Sequence, residues 1–204
     1  MGIISDGTTI FDSGSLAAGL GSSISVIKKL TASSSGTLSF VNGSSGVVLD
    51  NTYKEYLFVI NNCHPSAKSN FAFQGSTNTG SSYGVTITSS HFQNKMDEGN
   101  TGTHSLTYEA GRDLAQSTSF QRLTETQNTA NDECCSGFIR LFNPSSTTFV
   151  KHFNTTFESI SDNPSSSYNF CGGYFNTTSA IDAIQFKFES GNIDSGTITL
   201  YGIS

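Results

Sequence analysis

The chain has 204 residues, with 10 Lys and Arg against 16 Asp and Glu, a formal charge of −6 and a pI near 5.0. A nucleic-acid-binding surface needs clustered Lys and Arg, and Lys28-Lys29 is the sole adjacent basic pair, so no nucleic-acid partner is expected. No stretch approaches the ~20 apolar residues of a membrane-crossing helix, and the opening residues lack the basic start and apolar run of a secretory signal. Synthesis in a cytoplasm, without membrane insertion, is therefore expected.

Ser and Thr exceed a quarter of the residues, and 20 Gly stand against 3 Pro. These residues compete with or weaken a helical backbone, and they suit strands joined by tight turns. Trp is absent, so 16 Phe and 7 Tyr must fill the core. Residues 1–29 carry scattered apolar positions (Ile3, Ile4, Ile10, Phe11, Leu16, Leu20) with no sustained period, which predicts an extended N-terminal arm before a domain over 30–204.

From residue 30 the strand signals succeed one another. TLSFVN (37–42) and VVLD (47–50) flank the turn Gly43-Ser44-Ser45-Gly46, which predicts a hairpin. YKEYLFVIN (53–61) is apolar on both faces from Tyr56 to Ile60 and predicts a central strand covered on both sides. NFAFQGS (70–76) alternates at Phe71 and Phe73, and VTITSSHF (85–92) places Val85 and Ile87 on one face. Residues 94–135 read as polar loops, with 110–123 the one stretch that could form a short helix. GFIRLFNPSSTTFVKHF predicts strand, turn at Asn143-Pro144-Ser145-Ser146, strand, because proline pre-sets the turn's φ. In the last segment Ile184, Phe186 and Phe188 alternate inward against Gln185, Lys187 and Glu189. The turn Ser190–Gly196 then returns the chain to a strand with Ile198 and Leu200 on the core face. The expected fold is an all-β, two-sheet antiparallel sandwich, jelly-roll-like, of roughly eight strands.

Chemistry-bearing patterns are sparse. The acidic pairs Asp97-Glu98 and Asp132-Glu133 sit in polar loops and read as solvated charges, not as the facing carboxylates of a glycosidase. His64, His91, His104 and His152 show no HxH or HxxxH spacing, although His91 and His104 could meet across a loop and Cys63-His64 could ligate a metal. Cys63, Cys134, Cys135 and Cys171 match no zinc pattern and read as reduced, mostly buried thiols. Ser190–Gly196 offers too few carboxylates for calcium. No nucleophile elbow or phosphate loop follows a strand. No catalytic, metal or cofactor residue is therefore assigned, and a non-enzymatic protein is expected.

FNPSSTTFVKHF (142–153) and NTTSAIDAIQFKFESGNIDSGTITLYGI (176–203) resemble a group of small structural proteins of marine bacteriophages. TYKEYLFVINNCHPS (52–66), FAFQGSTNTGSSYGVTITSS (71–90) and LAQSTSFQ (114–121) extend the resemblance over residues 30–203. It implies a virion component on the outer surface of the particle. It further implies a homo-oligomer, with a trimer favoured, that contacts major capsid or tail proteins. A self-contained domain with an arm puts capsid decoration first. A tail-fibre or receptor-binding protein recognising a host surface glycan comes second, and a polysaccharide-cleaving tail enzyme a distant third. An aromatic cluster on one concave face points to the glycan, and a flat apolar patch beside the arm to lattice attachment.

Overall fold

The structure, a computed structural model, describes residues 23–204 other than Thr101 and Thr103, together with the backbone of three short strands nearer the N-terminus. Every regular element among the described residues is a strand. β1 (Ile3–Ser5), β2 (Thr8–Asp12) and β3 (Ser15–Leu16) pair antiparallel in a small sheet of their own. The expected arm otherwise lies outside the described residues, except that its last residues, from Ile24, belong to β4 (Ile24–Thr31).

Two antiparallel sheets make up the body. The eight-stranded sheet runs β4, β15 (Ile193–Ile203), β6 (Glu55–Pro65), β11 (Cys135–Phe142), β12 (Lys151–Ser161), β13 (Ser165–Phe175), β8 (Ile87–Asp97), β9 (Ser105–Tyr108). The four-stranded sheet runs β10 (Gln121–Arg122), β7 (Phe71–Ser76), β14 (Ala183–Phe188), β5 (Leu38–Val41). The sheets face each other across phenylalanines. Phe40 of β5 meets Phe58 of β6 edge-on at 5.3 Å, and Phe73 of β7 meets Phe153 of β12 at 5.1 Å. Ile184, Phe186 and Phe188 point into this layer, as their alternation predicts.

Four expectations are corrected. VVLD (47–50) is not a strand: Asn42 Oδ1 accepts from Leu49 N at 2.9 Å, a side-chain substitute for ladder bonds, while Val47 and Leu49 still enter the core. Residues 110–123 form turns ending in β10 and no helix, and the loops expected over 94–135 contain the end of β8 and all of β9. The turn after β14 makes no hairpin, since β14 pairs with β7 and β5 while β15 pairs with β6 and β4; it carries the chain from one sheet to the other. Finally, β6 is central but covered on one side. Tyr56, Phe58 and Ile60 are buried, whereas Leu57 and Val59 lie half-buried on the outer face.

The inner faces of β8 and β13 reverse the usual pattern. His91, Gln93, Ser167 and Asn169 point inward, and Phe92, Met96, Tyr168 and Phe170 point out. Much of the polar interior is hydrogen-bonded by the loop between β9 and β11. Gln93 Nε2 donates to Ser167 Oγ at 2.6 Å and to Glu125 Oε2 at 2.7 Å, and Arg112 holds the other oxygen of that carboxylate. Ser89 Oγ donates to Gln121 Oε1 at 2.6 Å, and Gln121 Nε2 to Arg112 O at 2.9 Å. This network lets a Thr- and Gln-rich loop seal a sheet end that has few apolar residues to bury.

His91 lies within it, fully buried, with Nε2 against Asn169 Oδ1 at 3.2 Å and Nδ1 without a partner. Burial holds its pKa below the ordinary 6.5, and nearby Arg112 adds to this against the opposing Asn169 bond and the Glu109 and Glu125 carboxylates. The folded chain thus binds a proton at this site less readily than the unfolded chain does. The stability it contributes is complete above pH 6.5 and is lost as pH falls from there towards the lowered folded value. Urea midpoints at pH 7.5 and 5.5 are expected to differ less in His91→Gln than in the parent; an equal difference in both contradicts this.

Gly196 permits one close approach. Its φ is +119°, and a Cβ there would lie 2.6 Å from Asn62 O and 2.7 Å from Cys63 Cα, both backbone atoms. Gly196→Ala is expected to destabilise the chain by roughly 3 kcal/mol, read by chemical denaturation.

Candidate functional site: the outer face of the large sheet

The residues with potential chemistry are dispersed. His91 and His104 do not meet. Glu109 N bonds His91 O, whereas His104 precedes Ser105, which pairs with Lys95 four residues further along β8, about 13 Å away. His104 Nε2 instead contacts Asn100 Oδ1 at 3.0 Å. His64 lies between Ala130 O at 3.0 Å and the Asp194 carboxylate at 3.7 Å. His152 is exposed, beside the Tyr174 ring at 5.9 Å. Asp97 ends β8 opposite Ser165, and Glu98 N bonds Pro164 O. Glu133, in the turn before β11, accepts from Asn128 N through its carboxylate. Among the described residues no three His, Cys, Asp or Glu side chains form a group that could hold a metal. All four cysteines are free; Cys63, Cys135 and Cys171 are buried and Cys134 is half-buried. A hollow of about 360 Å³, lined by Thr77, Ser82, Tyr83, Thr86, Asn176 and Thr177 among others, carries only hydroxyl and amide groups on those side chains.

The outstanding surface feature is the outer face of the eight-stranded sheet. The register aligns Phe138 of β11, Thr156 of β12, Phe170 of β13, Phe92 of β8 and Tyr108 of β9 in one row across five strands. Four interstrand steps make this row about 19 Å long. Its rings are 37% to 49% exposed, so each shows a substantial part of its surface to solvent. Phe92 and Tyr108 meet edge-on at 5.3 Å, and Tyr168, one row over, meets Phe170 edge-on at 4.6 Å. The Tyr108 hydroxyl donates to Asp113 Oδ2 at 2.5 Å, which fixes that ring and holds its pKa above the usual value.

The neighbouring rows are polar on one side and mixed on the other, where Tyr168 and Leu106 are exposed. On one side run Arg140, Asn154, Gly172 and Ser90, and on the other Ser136, Glu158, Tyr168, Asn94 and Leu106. Asn94, Asn154 and Ser90 make no side-chain hydrogen bond to the described residues, so their donors and acceptors are free for a ligand. Gly172 has nothing within 4 Å of where its Cβ would stand, which leaves a dip between Asn154 and Ser90. A ridge of rings with unoccupied amides beside it can stack on an apolar ring face and hydrogen-bond its rim.

No family model, curated protein or solved structure matches this chain. The row therefore has to be interpreted from its own chemistry. Its rings on β8 and β13 belong to strands whose alternation is inverted, and the row forms only through the register of five strands. The available signal was the spacing Tyr168-Phe170 and Phe92 within Ser- and Asn-rich runs, which places large rings on the face opposite a polar one.

Proposed function

We propose that this chain is a non-enzymatic surface component of a bacteriophage particle that holds a neutral host-surface glycan along the Phe138–Tyr108 row. The observation that carries this reading is the row itself: exposed rings aligned across a rigid sheet, with the unpaired side chains of Asn94, Asn154 and Ser90 beside them. Asn154 and Ser90 on one side and Asn94 on the other supply directed polar groups next to the rings, the mixture that a sugar's apolar faces and hydroxyls fit. The particle context rests on the resemblance of residues 30–203 to phage structural proteins. A jelly-roll-like winding of the chain between its sheets, an N-terminal attachment segment and a homotrimeric state belong to the same proposal.

Capsid decoration is the second reading, and a specific observation favours it. Val26 of β4 is 66% exposed and pairs with Tyr201, which pairs with Leu57, an apolar strip on the edge strand that follows residues 1–22 in the chain. Electron microscopy of intact particles with domain-specific gold labelling separates the two. The glycan reading predicts a few trimeric copies at the tail tip. Hundreds of copies spread over the head overturn it in favour of decoration.

A further inference from the structure

The inward alternation of β6 runs through Tyr56, Phe58 and Ile60 and then breaks. Asn61 and Asn62 are both exposed, Asn62 has φ +47°, and Cys63 and Pro65 are buried. Across the strand pair, Gly137 faces Ile60 but Cys135 faces Cys63, so β6 carries an extra residue there. Simple alternation would have turned Cys63 to the outer face. The bulge turns it into the core, directly opposite Cys135. Both thiols belong to the same buried cluster, 0% and 1% exposed, and Cys135 Sγ lies 3.5 Å from Cys63 O. Opposed residues of an antiparallel pair have Cα atoms about 4.5–5.5 Å apart, within the span a disulfide bridges.

We propose that Cys63 and Cys135 are a latent cross-strand disulfide, open in a reducing compartment and closed by exchange with a low-molecular-weight disulfide outside it. One protein thiolate attacks that disulfide, forming a mixed disulfide and releasing one small thiol. The other protein thiolate then displaces the second small thiol. The protein loses two hydrogens and the small disulfide is reduced to two thiols. Burial pushes the Cys63 thiol up to about 12 and the Cys135 thiol well above its usual value, which keeps both protonated and slow to react while the strands are paired. Cys135 is the first residue of β11, so fraying of that strand end gives the reagent access. Cys134, the neighbour exposed enough to react directly, has its Sγ near Asn62 Oδ1, and adjacent Cys134 and Cys135 are poorly placed to bond each other. The closed bond would tie two central strands and close a loop between positions 72 apart. The inference is independent of the aromatic row.

The test uses the reduced full chain incubated with oxidised glutathione at pH 8, followed by intact mass, peptide mapping and thermal unfolding. In the parent and in Cys134→Ser, the mass is expected to fall by two hydrogens. The peptides bearing Cys63 and Cys135 become linked, and the unfolding midpoint rises above that of the reduced chain. Cys63→Ala shows neither change. The proposal is overturned if both cysteines remain alkylatable after prolonged oxidation of a chain that stays folded by circular dichroism. A cross-link through Cys134 in their place, or a link that leaves the midpoint unchanged, overturns it equally.

Discussion

Phe186→Ala is expected to cost about 3–5 kcal/mol of folding stability, the range for removing a fully buried aromatic ring. Phe186 is where the two sheets meet. Its ring lies 5.5 Å from Phe58 across the sandwich, and 6.2, 6.0 and 6.4 Å from Phe40, Phe71 and Phe73 within its own sheet. Four rings lose a partner together, and β-strand backbones cannot shift far to close the space. A domain of this kind is stable by about 5–15 kcal/mol, so the variant retains a fraction of its margin. Urea titration followed by circular dichroism measures the change. A loss below about 1 kcal/mol would mean that the two-sheet core is not packed as described. Phe92→Ala removes the same ring type from a site 45% exposed and is expected to stay within about 0.5 kcal/mol of the parent.

That contrast makes the second large effect interpretable. Phe92→Ala and Phe170→Ala are each expected to weaken glycan binding about tenfold, close to 1.4 kcal/mol, with the fold intact. Combined, they remove the two rings that face each other directly across β8 and β13, and binding is expected to fall below detection. Asn154→Ala, which removes an unpaired amide beside the row, is expected to change which sugars bind more than how tightly, because a directed hydrogen bond reads hydroxyl orientation. Titration calorimetry against the best glycan ligand reads all four variants.

The legible parts of the fold were those where burial and alternation agree. Ile184, Phe186 and Phe188 on β14, Phe71 and Phe73 on β7, and the Asn143–Ser146 turn follow directly from period and proline. β13 was not legible, because its inward residues include Ser165, Ser167 and Asn169 and its outward ones Tyr168 and Phe170. Only the loop carrying Arg112, Gln121 and Glu125 makes that polar face a core, and a loop 40 residues or more away in sequence leaves no local signature. The charge state of Glu125 illustrates the dependence: burial alone would raise its pKa, yet the Gln93 bond and Arg112 hold it below the usual range. Cys63 is buried, as its thiol chemistry suggests, but the bulge at Asn61-Asn62 that turns it inward appears only in the register with β11 and β15 and not in the alternation of β6. The aromatic row is a property of register across five strands. Its members are scattered from Phe92 to Phe170 in the sequence and become neighbours only once every pairing is set.

The most direct test of the row as a binding surface is a glycan array probed with the parent chain and with Gly172→Leu. Nothing crowds that position, so the substitution leaves the fold unchanged and raises a side chain in the dip beside the rings. The account predicts that the parent binds a defined set of neutral glycans and that Gly172→Leu loses them. Binding that survives Gly172→Leu, or a parent chain that binds no glycan at all, would contradict it.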